Sequence, residues 1–116
     1  TVTGFSFHEA YLEEGADTLL LTYGVTARAA RDVYNAQKKH GKPVSLLILK
    51  TLWPVPQDLI REKAENVSRV VVVEMNLGQY VREIERILPE KKVDFLGQMD
   101  GRLIPPKRIQ EGIAHV

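Results

Sequence analysis

Three observations predict an α/β domain built as three layers, α/β/α, around a mostly parallel sheet of about five strands. Apolar runs alternate along the chain with stretches whose apolar residues recur at helical spacing, which is the βαβα order that yields parallel strands and right-handed crossovers. Residues 70–73 are four consecutive valines, and a strand with no polar face is one covered on both sides. A chain of 116 residues has room for one sheet and a few covering helices, so a single domain is expected.

Each element follows from its own stretch. Residues 17–23, "DTLLLTY", form an apolar run ending at Gly24 and read as a strand. Residues 26–39 follow as a helix, with Ala27, Ala30, Val33 and Tyr34 on one stripe. Gly41 and Pro43 punctuate its end, and "VSLLILK" from Val44 to Lys50 is the next strand. The "WPVP" that follows is stiff and extended, because each proline fixes its own φ and disfavours helix in the residue before it. A helix resumes near Gln57 and runs to about Glu65, with Asn66 as its terminator. Arg69 to Met75 is a further strand; Leu77, Val81, Ile84 and Leu88 then line one face of a helix that Pro89 stops. Lys92 to Leu96 is a short last strand, Asp100-Gly101 a turn, and "PKRIQEGI" a terminal helix whose first turn accommodates proline. The opening "GFSFHEAYL" is compatible with an edge strand or a short helix.

Composition removes several function classes. Lys plus Arg number 16 against 15 Asp plus Glu, so no broad basic or acidic field points to nucleic acid or a membrane surface. No apolar stretch approaches the roughly 20 residues of a membrane helix, and the first residues show no basic region followed by an apolar run, so a cytoplasmic location is expected. The absence of cysteine excludes disulfides, thiol catalysis and cysteine-ligated iron-sulfur clusters from these residues. Because the chain starts at Thr1 without an initiator methionine, a fragment of a longer subunit is expected.

In a parallel α/β sheet, ligands and partners collect at the C-terminal ends of the strands. That edge holds Gly24 to Thr26, Thr51 to Pro56, Glu74 to Gly78 and Gly97 to Leu103. A dinucleotide fingerprint there would need G-x-G-x-x-G and an acid about 20 residues on. Gly24-Val25-Thr26-Ala27-Arg28-Ala29 lacks it, and Lys50 ends the second strand, so Gly24 reads as a tight turn. No phosphate-binding P-loop occurs. His8, His40 and His115 are too dispersed for a metal site and read as surface residues.

Glu74 stands where a catalytic carboxylate could stand, although a lone carboxylate there more often accepts hydrogen bonds from neighbouring loops. Trp53 covers the core or anchors an interface. Asn76 and Gln79, three apart, have the spacing of a capping box, and the same helix start could receive an anion or a partner's carboxylate, as could the start at Thr26. Gly78 permits close approach of another backbone. The candidate interface or anion-binding edge is therefore Gly24, Thr26, Trp53, Glu74, Asn76, Gly78 and Gln79, with no residue assigned to catalysis, cofactor or metal.

"ADTLLLTYGVTARAARDV", "VSLLILKTLWPVPQDLI", "VVVVEMNLGQYVREIERIL" and "GQMDGRLIPPKRI" together resemble the C-terminal domain of the alpha subunit of thiamine-diphosphate-dependent 2-oxoacid:ferredoxin oxidoreductases, a transketolase C-terminal-like fold. The resemblance covers about residues 8–113. It implies a structural and subunit-docking part of an enzyme that oxidatively decarboxylates a 2-oxoacid, 2-oxoglutarate or a branched-chain acid, to an acyl-coenzyme A and reduces ferredoxin. Of the acids, 2-oxoglutarate is the one favoured. Thiamine diphosphate, magnesium, iron-sulfur clusters and coenzyme A are then bound elsewhere in the assembly. The implied partners are the other domains of the alpha subunit, the beta subunit and ferredoxin, with a homodimer possible and neither nucleic acid nor membrane involved. Met99-Asp100-Gly101 imitates the family's diphosphate-binding "GDG" but lacks the first glycine and the later Asn, and reads as a turn. Two other readings stay open. One is a freestanding anion- or nucleotide-binding domain; the other is the corresponding domain of a transketolase or a 2-oxoacid dehydrogenase component.

Overall fold

The computed structural model describes residues 8–50, 53–74, 79–97 and 106–114. Its strands are β1 (His8–Tyr11), β2 (Thr18–Tyr23), β3 (Ser45–Leu49), β4 (Arg69–Glu74) and β5 (Lys92–Gly97). Between and after them run α1 (Ala27–Lys39), α2 (Gln57–Lys63), α3 (Gln79–Ile87) and α4 (Pro106–Ala114). The strands form one sheet in the order β1-β3-β2-β4-β5, parallel throughout except for β1, which pairs antiparallel with β3. The expected mostly parallel sheet of five strands is therefore present. Of the ambiguous opening, His8–Tyr11 forms an edge strand, and residues 4–7 lie outside the described residues.

The alternation of side chains along each strand divides the core into two layers. Leu19, Leu21, Leu47, Leu49, Val70 and Val72 face α2 and α3, where they meet Ile60, Tyr80, Ile84 and Leu88. Leu20, Leu46, Ile48, Val71 and Val73 face the other way, onto Ala30, Val33 and Tyr34 of α1 and Ile109 of α4. Both faces of β2, β3 and β4 are thus dry, which is why these strands read as unbroken apolar runs. Complete burial of each Leu, Ile or Val contributes about 2 kcal/mol from area alone.

Among the boundaries that differ from the sequence reading are those of the first two helices. A single 3-10 turn, Gly24–Thr26, precedes α1, so the helix begins at Ala27 and Thr26 lies in the turn. Gly24 takes φ +64, the left-handed conformation that lets the strand turn sharply into it. Helix α2 ends at Lys63 rather than near Glu65, and residues 64–66 form a turn. Leu88 lies just past the end of α3 and is buried with its face. His8 and His40 are exposed, as expected of surface residues. His115, the turn at Asp100-Gly101 and the Met99-Asp100-Gly101 stretch lie outside the described residues.

Candidate functional site

The connection from β2 runs to β3 on one side, and the next crossover returns to β4 on the other side of β2. The crevice between the C-terminal ends of β2 and β4 is consequently the topological switch point, where doubly wound sheets hold their ligands. Among the described residues, side chains of β2, β4 and α3 meet there.

Glu74, the last residue of β4, has no exposed surface. Its parity along the strand points it to the α3 layer, where it accepts two backbone hydrogen bonds: Tyr80 N–H to Oε1 at 3.3 Å and Val81 N–H to Oε2 at 3.1 Å. The Tyr23 hydroxyl at the end of β2 donates to Oε1 at 2.6 Å. A carboxylate at the positive end of α3 therefore neutralises first-turn amides that would otherwise need a partner. On the opposite face of the sheet the Thr22 hydroxyl donates to the Val73 carbonyl at 3.0 Å, and the Thr26 hydroxyl donates to the Tyr23 carbonyl at 2.7 Å. Thr26 is 1% exposed, so its hydroxyl ties the turn to the sheet and presents nothing to solvent.

Aromatic rings roof this crevice. Tyr80 is buried and meets Tyr23 at 5.5 Å between ring centroids, and Trp53 packs edge-on against Tyr80 at 5.8 Å. Burial, reinforced by the charges of Glu83 and Glu74, pushes the Tyr80 phenol well above its ordinary range. Trp53 touches this core on one side only and is 63% exposed, so it is not a core cover.

Next to the crevice, over the ends of β2 and β3, lies an open groove of about 400 Å³ lined by Tyr23, Gly24, Ala27, Arg31 and Lys50 among others. It continues along α1 to Arg28. Glu9 of β1 bridges two of its cations, with Arg31 Nη2 at 2.6 Å and Lys50 Nζ at 2.7 Å. The Lys50 ammonium, helped by the Tyr11 hydroxyl and by the Arg31 charge, pulls the Glu9 carboxyl down to about 2.

Of the residues singled out from sequence, Gly24, Thr26 and Glu74 come together around the crevice and Trp53 flanks it. Gln79 opens α3. Asn76 and Gly78 lie outside the described residues. Sequence reasoning missed Tyr23, Tyr80, Glu9, Arg28 and Arg31. The spacing of Arg28 and Arg31, three apart in the first turns of a helix, was the available signal for a cationic edge.

Among the described residues, a diphosphate at the start of α3 would have to displace a buried carboxylate from the Tyr80 and Val81 amides. Among the described residues no three His, Asp or Glu side chains converge as a metal site.

Fold and edge define a doubly wound α/β domain whose switch point carries a buried carboxylate on the first turn of its third helix. The chain belongs to the family of the pyruvate:ferredoxin oxidoreductase core domain II, whose model matches residues 16–109. It is 34% identical over 109 residues to ketoisovalerate oxidoreductase subunit VorB of Methanothermobacter thermautotrophicus, a match covering 94% of this chain and 31% of the relative. The chain thus spans under a third of that relative's length. Among solved structures, 2-oxoglutarate:ferredoxin oxidoreductase from Magnetococcus marinus, with 2-oxoglutarate, coenzyme A and succinyl-CoA bound, superposes with a TM-score of 0.82. That match has 23% identity and covers 95% of this chain and 19% of the other. A split-gene transketolase superposes with a TM-score of 0.66 at 21% identity, over 77% of this chain and 32% of its own. Both likenesses establish the transketolase-like fold.

Proposed function

We propose that this chain is the docking domain of an alpha-type subunit of a 2-oxoacid:ferredoxin oxidoreductase. In this reading residues 1–116 are one domain of a longer cytoplasmic subunit, and the enzyme converts a 2-oxoacid to an acyl-coenzyme A while reducing ferredoxin. Thiamine diphosphate, magnesium, iron-sulfur clusters and coenzyme A belong to other parts of that assembly. The domain itself supplies surface and rigidity. The observation that carries the reading is the buried Glu74, which holds two first-turn amides of α3 from within while Trp53 stands out beside it, an arrangement suited to packing against protein rather than holding a cofactor. The family to which the chain belongs supports the same conclusion.

The candidate acids are 2-oxoglutarate, favoured by the sequence reading and bound by the Magnetococcus enzyme, and a branched-chain acid such as the one for which the VorB relative is named. The test is to express the full-length subunit with its companion subunits and assay coenzyme A-dependent ferredoxin reduction with 2-oxoglutarate, 3-methyl-2-oxobutanoate and pyruvate. Turnover of one of these acids, requiring all subunits, is expected. No turnover of any, or turnover by this domain alone, would contradict the proposal.

A further inference from the structure

The chain as a whole is nearly neutral, with a formal net charge of +1, yet among the described residues three cations collect on one part of the C-terminal edge. Arg28, Arg31 and Lys50 gather on the groove beside Gly24, and among the described residues Glu9 is the one carboxylate that pairs with them. Arg28 is exposed and makes no ion pair among the described residues. The way Arg31 and Lys50 grip Glu9 from two sides indicates that these cations are positioned to hold carboxylates. The exposed Trp53 stands near the same strand ends, linked to the groove wall Tyr23 through ring contacts with the buried Tyr80. Among the described residues this edge therefore offers a bulky apolar anchor, Trp53, and a groove where three cations meet one paired carboxylate, a pairing typical of a protein-protein interface.

Resting on the docking function proposed above, we infer that the edge from Trp53 to Arg28 receives an acidic segment of the companion subunit, its carboxylates on Arg28 and the Arg31–Lys50 pair and an apolar pocket around Trp53. The charges steer and register the encounter, and the indole contributes most of the affinity.

The test measures association of the full-length subunit with its purified companion at low and high sodium chloride, for wild type and three variants. Arg28→Glu is expected to weaken association about tenfold at low salt, with the difference shrinking as salt rises. Lys39→Glu makes the same charge change at the far end of α1 and should leave association unaltered. Trp53→Ala should weaken association roughly thirtyfold at either salt concentration. Thermal unfolding of each variant checks that it is folded; the exposed Arg28 keeps the test decisive even where Trp53→Ala destabilises the domain. Equal effects of Arg28→Glu and Lys39→Glu would overturn the inference, since the charge would then act without a local contact. Unchanged association in Arg28→Glu and Trp53→Ala, in a complex that still turns over its 2-oxoacid, would also overturn it while leaving the docking subunit itself standing. Wild-type subunits that neither associate nor turn over would defeat both.

Discussion

At the scale of single residues, the central feature is a carboxylate used as structure. Glu74, itself fully buried, accepts hydrogen bonds from two helix amides and one phenol. Glu74→Ala strands these donors, and the expected cost is about 3 kcal/mol in denaturant unfolding, since each buried orphan costs about 1–3 kcal/mol and part of the loss relaxes. A loss below about 0.5 kcal/mol would show that the donors find other acceptors. Glu9 makes a prediction in pH. Its carboxyl is held near 2 in the folded chain against an ordinary 4.5, so folding favours its ionised form. That contribution is present above about pH 4.5 and is lost as pH falls towards 2. Stability followed by denaturant between these limits should therefore fall less steeply in Glu9→Gln than in wild type; parallel curves would contradict the Arg31–Glu9–Lys50 bridge.

At the scale of elements, the C-terminal helix shows how a buried charge can hold a layer in place. Arg69, 4% exposed at the start of β4, donates from Nε to Asp94 Oδ2 at 2.7 Å and from Nη1 to the Ile113 carbonyl at 3.0 Å. The cation thus meets the last turn of α4, where carbonyls lack partners and the helix dipole is negative. Arg69→Ala should cost about 2 kcal/mol, less than a fully buried pair because Asp94 is partly solvated. Its signature should be local. Amide hydrogen exchange in α4 should accelerate more than in α3, and uniform protection across both helices would refute the anchoring role.

The existence and order of the elements were legible because their periods are unambiguous. The valine run of β4 and the Ala27, Ala30, Val33, Tyr34 stripe of α1 can bury themselves in only one way. The edge strand β1 was not, since four half-exposed residues carry no apolar alternation to separate strand from helix. At the site, Glu74 could be placed on the functional edge from its position after the valines, but its partners could not. They come from Tyr23, 51 residues earlier, and from a helix turn whose own sequence suggested capping by Asn76 and Gln79. Such long-range satisfaction depends on strand order, which local periodicity does not encode.

At the scale of the whole molecule, two apolar layers fix a rigid sheet, and the sheet delivers one edge where, among the described residues, Glu74 is buried and Trp53 is exposed. The central claim is that this edge meets protein and not cofactor. Calorimetric titration of the 116-residue chain with thiamine diphosphate in the presence of magnesium tests it most directly. The account predicts no saturable heat, because the α3 amides are held by Glu74 and a diphosphate would face that carboxylate. A stoichiometric site of micromolar affinity would contradict it.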